Sequence, residues 1–322
     1  MKASKIFVII ASLMMVAGLG FASIGAAMGG KWSMKFNYKN FHLSSAEEKM
    51  VEKTEKIEDF NKIEIKTSVV DVILRTGSEF SVQYRTPEDL VPSIENKNGT
   101  LKIKSEMKNS IFLFGGWSTD EEEYIIVTIP ENDNKEREAD IETSTGDVKL
   151  ENGLSFFGKL TTSTGDIRLS GVETGDSLKI YTSTGDTYID NCKMNSLRTE
   201  SSTGEVFITN SKIEKEYSAV TSTGDMKVND FSTDRLIIEG STSDITLQRI
   251  DFNDIDIDVS TGDIDILANG NNDDYSISLH TSTGDMNIDG IEYDGKNFES
   301  VRGSKNIKIE TSTGDIDIAY VK

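Results

Sequence analysis

The chain has 322 residues, a net charge of −21, one cysteine and two histidines. A single thiol excludes both an internal disulfide framework and a cysteine-based metal site. From Asp140 onward there are 34 Asp and Glu against 16 Lys and Arg; so acidic a surface repels phosphate backbones, which excludes nucleic acid as a partner.

Residues 1–30 read as a membrane anchor or signal segment. Twenty-five uncharged residues stand between Lys5 and Lys31, and at 1.5 Å per residue a helix over 6–30 is long enough to cross a hydrocarbon core of about 30 Å. A cleavable signal peptide is the alternative, with Gly20/Ala22 and Gly25/Ala27 as small residues suited to cleavage. The length and the stop at Lys31 favour a retained, single-pass anchor with the bulk of the chain outside the cell membrane. Residues 31–56 read as a charged stalk. A short helix is expected around 45–56, capped by Ser44 or Ser45 and carrying Glu47 and Glu48 in its first turn.

Residues 57–138 read as a degenerate β cap. Ile63, Ile65, Val70 and Val72 imitate one repeat unit, and strands are expected at 80–84, 100–104 and 124–129, with Asn98-Gly99 as a turn. Terminal repeats must be atypical to close a repeat core. The apolar run 111–117 is expected to fold over the open end of that core, or else to form an exposed patch.

Residues 139–322 carry the refrain Ser-Thr-Gly-Asp at 144–147, 163–166, 183–186, 222–225, 260–263, 282–285 and 312–315. Worn copies stand at Ser202-Thr203-Gly204-Glu205 and Ser241-Thr242-Ser243-Asp244. A fixed period near 20 residues marks a stacked-repeat architecture. With the copies aligned on the glycine, apolar residues recur five and seven positions before it, as at Ile180 and Leu178, and two and four after it, as at Ile167 and Leu169. Alternation on both sides of a turn means two short half-buried strands per repeat. A type II turn is expected at Thr-Gly, with positive φ at glycine, because tight hairpins need positive φ at the residue Thr would occupy. The fold class that follows is all-β, a repetitive parallel β-solenoid of about 20 residues per rung. A third short side is marked by Val172, Cys192, Phe231, Ile250 and Ile291, which makes Cys192 a core residue. The longer last spacings place loop insertions around 269–274 and 293–304.

The repeated Asp forms a column of like charges. A shared cation such as calcium would offset them; bonds from the carboxylates to backbone N–H groups at the corner are the simpler arrangement. The densest metal candidates are Asp254, Asp256, Asp258, Asp263 and Asp265, in a stretch (250–295) with 12 acids and no Lys or Arg. Threonine three before the glycine shares parity with the buried positions, which argues against an ice-binding threonine face. No catalytic residues are expected, because an Asp repeated in every rung lacks the unlike environments that separate two carboxylate pKa values.

The opening Ile-x-Ile with Asp71-Val72, the strand ending at Ile129-Pro130 and the recurring Thr-Ser-Thr-Gly-Asp-Ile resemble the DUF4097 family of bacterial β-strand-repeat proteins, provisionally labelled adhesins. The resemblance covers residues 57–322 and implies the architecture, with adhesion by analogy only. The resulting expectation is a membrane-anchored extracytoplasmic binding or scaffold protein of adhesin type, whose ligand is a protein or polysaccharide at the cell surface. The alternatives are an envelope-stress or signalling accessory protein that contacts a membrane partner and, third, a polysaccharide-active enzyme.

Overall fold

The computed structural model describes residues 34–37, 42–45, 49–106, 110–114 and 122–321. The expected membrane helix over 6–30 lies outside them; no helix among the described residues is long and apolar enough to cross a membrane. The chain divides into two compact units, Met1–Met50 with Met107–Glu122, and Val51–Glu106 with Glu123–Lys322.

In the first unit, Met34–Asn37 pairs antiparallel with His42–Ser45 on one side and Ser110–Phe114 on the other. Residues 111–114 of the apolar run therefore take part in strand pairing with residues near the N-terminus, and 115–117 lie outside the described residues. The helix expected around 45–56 is not formed: Met50–Lys56 is a strand that pairs with Ser81–Pro87. Its Glu and Lys residues are helix formers, but the pairing overrides that preference.

The second unit is the solenoid. Strands before and after each Ser-Thr-Gly-Asp corner stack in parallel on the matching strands of neighbouring rungs, as in Phe156–Thr162 against Glu173–Thr182 and Ile167–Ser170 against Thr187–Asp190. Every apolar residue at the inward positions expected from the alternation around the glycine is buried, from Ile141 and Val148 in the first motif repeat to Ile309 and Ile318 in the last. Each such side chain contributes roughly 1.5–3 kcal/mol of gross hydrophobic stabilisation. Between Val172 and Phe252 a third side appears, and Val172, Cys192, Phe231 and Ile250 are buried there as expected. Ile291 is not: it is 58% exposed, because Ile291–Tyr293 turns back antiparallel on Met286–Ile288 rather than forming a third side.

The first rung is Lys62–Thr67 with Asp71–Gly77, which stack on Arg137–Thr143 and Val148–Leu150. The boundary expected at 138/139 thus falls inside a strand. Outside this first rung lie Thr100–Ser105 and Tyr124–Pro130, paired in parallel with it. Antiparallel strands Ser93–Lys97 and Ser81–Pro87 then pair with these outer strands. Asn98 and Gly99 take positive φ of 54° and 73° in the tight turn before Thr100, the pattern of a type I′ hairpin.

The opposite end repeats this scheme. The last stretches of chain, Lys305–Thr313 and Ile316–Val321, insert between Asp254–Asn269 and Tyr275–Ile288. Rungs therefore do not stack strictly in sequence order. Asn297–Ser300 and Ile291–Tyr293 then pair antiparallel with the outermost rung. At both ends the antiparallel partners engage edge groups that would otherwise template pairing with another chain. The aromatic rings of Phe252, Tyr275 and Tyr320 pack in series across the tucked rung, with centroids 5.3 Å apart at each step.

A buried arginine bolts the N-terminal end. Arg137, 1% exposed, donates to Asp59 and Asp133 at 2.8 Å and to the Phe60 carbonyl at 2.9 Å. Its guanidinium also lies over the Phe60 ring, 5.1 Å from the centroid. The hydrogen bonds from Arg137 hold the Asp133 carboxyl below its usual range despite burial.

Candidate functional site

The Ser-Thr-Gly-Asp corner is the repeated polar feature of the solenoid. Its backbone bonds run between rungs: the Thr164 N–H donates to the Ser144 carbonyl, Thr184 to Ser163 and Thr203 to Ser183, each at 2.9 Å. This differs from the expected type II turn. Gly146, Gly165, Gly185, Gly204 and Gly224 do not take positive φ, whereas Gly262, Gly284 and Gly314 do, at 146°, 150° and 147°. In all these copies glycine is required for another reason. A Cβ on Gly185 would lie 1.8 Å from the Gly165 carbonyl oxygen, and one on Gly204 would lie 1.9 Å from that of Gly185.

Threonine three before the glycine points inward. Thr143 and Thr162 are 2% exposed and accept from the Gly146 and Gly165 N–H groups at 3.0 Å. One rung exchanges the two roles: Gly240 stands at the threonine position and Ser243 at the glycine position. The Ser243 side chain fills the space a Cβ on Gly240 would approach, at 3.5 Å.

Most motif carboxylates serve the next rung. Asp147 Oδ1 accepts from the Asp166 N–H at 2.8 Å, Asp166 from Asp186 at 2.8 Å, and Asp186 from Glu205 at 2.9 Å. The ladder begins at Asp71 and, after a break at Glu205, resumes at Asp225 and runs through Asp244, Asp263 and Asp315 to the Asp285 N–H. Hydrogen bonds to ionised groups contribute about 1.5–3 kcal/mol each, enough to offset repulsion between screened carboxylates. Glu205 departs from this pattern: its longer side chain reaches Lys227 Nζ at 2.7 Å. Arg168 clamps Asp147 at 2.9 Å and Asp166 at 2.6 Å.

The five acidic candidates are not gathered at one point. Asp254, Asp256 and Asp258 stand on the outer face of Asp254–Thr261, where Asp254 pairs with Arg235 and Asp256 with Lys308, both at 3.3 Å. Asp263 belongs to the corner ladder and Asp265 to the next strand. Among the described residues no group of three His, Cys, Asp or Glu is placed to hold a metal ion. Burial raises the Asp265 carboxyl pKa, and the negative charges of Asp317, Asp263 and Asp244 raise it further. Cys192 is 3% exposed, and burial pushes its thiol up to about 11, which keeps it protonated and unreactive. His280 Nδ1 lies 2.7 Å from Asn297 Oδ1.

A family model described as Toastrack DUF4097 matches residues 60–319. The chain belongs to this family. Among solved structures, a provisionally named lipid-binding protein from Parabacteroides distasonis ATCC 8503 is 14% identical, with 85% of this chain and 97% of that chain covered and a TM-score of 0.46. A provisionally named adhesin from Bacteroides fragilis NCTC 9343 is 17% identical over 67% of this chain and 96% of its own, with a TM-score of 0.35. Another from Parabacteroides merdae ATCC 43184 is 13% identical over 85% and 97%, with a TM-score of 0.36. No curated protein matches the chain.

Proposed function

We propose that this DUF4097 protein is a non-catalytic binding scaffold of adhesin type, anchored in the cell membrane by residues 6–30 with the solenoid outside. One observation carries the binding role. Most motif carboxylates and inward threonines, such as Asp147, Asp166 and Asp186 with Thr143, Thr162 and Thr221, are engaged by the solenoid's own backbone, so the refrain is architecture. The outward positions, by contrast, change from rung to rung: the register-matched series Glu142, Thr161, Tyr181, Glu200, Val220 and Glu239 runs along one side. A rigid frame that displays a varied surface suits recognition of an external ligand. The uncharged length of residues 6–30 supports the anchor.

The test is protease treatment of intact cells expressing the full chain, together with membrane fractionation. Cleavage of the solenoid from outside, and retention of the chain on membranes through a high-salt wash until detergent is added, are the expected results. A mature N-terminus near Ser23 or Met28 would overturn the anchor, and full protection from external protease would overturn the orientation. Co-purification with a membrane kinase or transporter, without external binding, would favour the signalling role instead.

A further inference from the structure

We propose that the third side of the solenoid is a binding groove for a linear, uncharged glycan; the inference rests on the surface-binding reading above. This side is one outward residue wide. In each rung two buried residues, such as Cys192 and Met194 or Ser211 and Ile213, flank a single outward one. The outward residues Glu173, Lys193, Lys212, Ser232 and Asp251 are register partners along the solenoid. Hollows lie on both flanks of this ridge. A groove of about 1080 Å³ runs from Asp133 and Asn134 to Asp230 on one flank, and hollows of about 240 and 280 Å³ lie on the other.

The wall chemistry selects the ligand. Asn152, Asn191 and Asn210 line the large groove, and Asn195 and Asn253 line the smaller hollows. A primary amide has two N–H donors and an accepting oxygen, so even Asn210 and Asn253, which donate to Asp190 at 3.2 Å and Asp234 at 2.6 Å, retain an oxygen and a second N–H for a hydroxyl group. Charges on the ridge cancel, with Glu173 and Asp251 at its ends and Lys193 and Lys212 between them, within a repeat region whose net charge is strongly negative. A polyanion gains little from so balanced a strip. An apolar ligand finds little to cover, because the apolar residues of the lining, Leu154, Cys192, Met194, Ile213 and Phe252, are at most 3% exposed. A peptide cannot add as a strand, because parallel neighbours already pair on both sides of these segments. A polymer rich in hydroxyls and free of charge satisfies all three conditions. The groove crosses five rungs, about 20 Å at the usual interstrand spacing, so several sugar units would be held at once.

The corner that carries the asparagines also supplies a clean variant. Asn191 and Asn210 have φ of 52° and 49°, and Gly171 occupies the same corner at 58°. Replacing both asparagines by glycine therefore removes the amides and keeps the left-handed backbone. The experiment is native affinity electrophoresis of the full chain in non-denaturing detergent, in gels containing hydroxyethyl cellulose, glycol chitin, dextran or polygalacturonate. Retardation by at least one of the three neutral polymers is expected. The Asn191→Gly/Asn210→Gly chain, with unchanged mobility in a polymer-free gel, should show at least a fivefold weaker effect. The Ser183→Ala/Thr184→Ala chain, altered at the motif corner, should behave as the parent. No retardation by any neutral polymer, or equal retardation of the double glycine chain, would overturn the proposal. Retardation by polygalacturonate alone, lost in Lys193→Gln/Lys212→Gln, would also overturn it and assign the groove to an acidic polymer. If cell-surface exposure holds while these gels show nothing, only the glycan assignment falls.

Discussion

An aspartate in this solenoid is defined by the atom its carboxylate meets. Asp166 accepts a backbone N–H from the next rung and is held by Arg168, whereas Asp265 stands beside other carboxylates with its pKa raised first by burial and then by Asp317. The sign of its contribution follows. At neutral pH both folded and unfolded chains carry the charge, and the folded one bears the desolvation and repulsion. As pH falls through the raised folded value, the folded chain takes up a proton first and gains stability until the unfolded value near 3.8 is passed. Asp265→Asn should therefore raise the melting temperature at pH 7, and the gain should disappear by about pH 4. Thermal melts of both chains across that range measure it; a gain that persists unchanged at low pH would show that the charge is not the cause. Proximity in sequence misled the grouping of Asp265 with Asp254, Asp256 and Asp258. Along a strand, alternate residues share a face but stand about 7 Å apart, and the corner at Gly262 turns Asp263 and Asp265 onto other surfaces.

The rung shows which features alternation can reveal. Apolar residues at two-residue spacing on both sides of Thr-Gly name the inward side chains directly, and those positions are buried throughout the repeats. The turn type was less legible, because Thr-Gly is compatible both with a type II turn and with an open corner bonded between rungs. What separates them is contact with the rung below, which no single repeat contains. The glycine column records that contact: Gly165, Gly185, Gly204 and Gly224 each face the carbonyl of the preceding column member. Gly185→Ala should cost on the order of 3 kcal/mol, since the obstructing atom is backbone and cannot swing away. Denaturant unfolding would measure this loss. Ser243 shows how the column admits a side chain, by pairing it with Gly240. A Gly185→Ala chain as stable as the parent would mean that the rungs spread apart at little cost.

Stacking order belongs to the whole molecule and was the least legible property in the sequence. The spacing of 30 residues between Gly284 and Gly314 shows that an insertion exists. It does not show that the following strands pass back inside the stack, because parallel neighbours exchange backbone bonds that any two rungs can offer. The two ends follow the same plan: a rung that departs from sequence order, then antiparallel strands against the outermost edge. For the C-terminal end this makes the last 20 residues an interior element. Their removal should do more than shorten the solenoid, since Tyr275–Thr283 has Lys305–Thr313 as its parallel partner, and Asp254–Thr261 uses the opposite edge of the same strand. A chain ending at Arg302 should lose hydrogen-exchange protection throughout Tyr275–Thr283 and Met286–Ile288. Glu173–Thr182, several rungs away, should keep its protection, because each rung of a solenoid depends mainly on its nearest neighbours. Stacking in simple sequence order predicts the opposite for the C-terminal end: Tyr275–Thr283 would lie directly on Asp254–Thr261 and keep its protection in the shortened chain. Exchange measured on the full and shortened chains distinguishes the two arrangements, and retained protection at Ile277 and Leu279 would rule out the inserted rung.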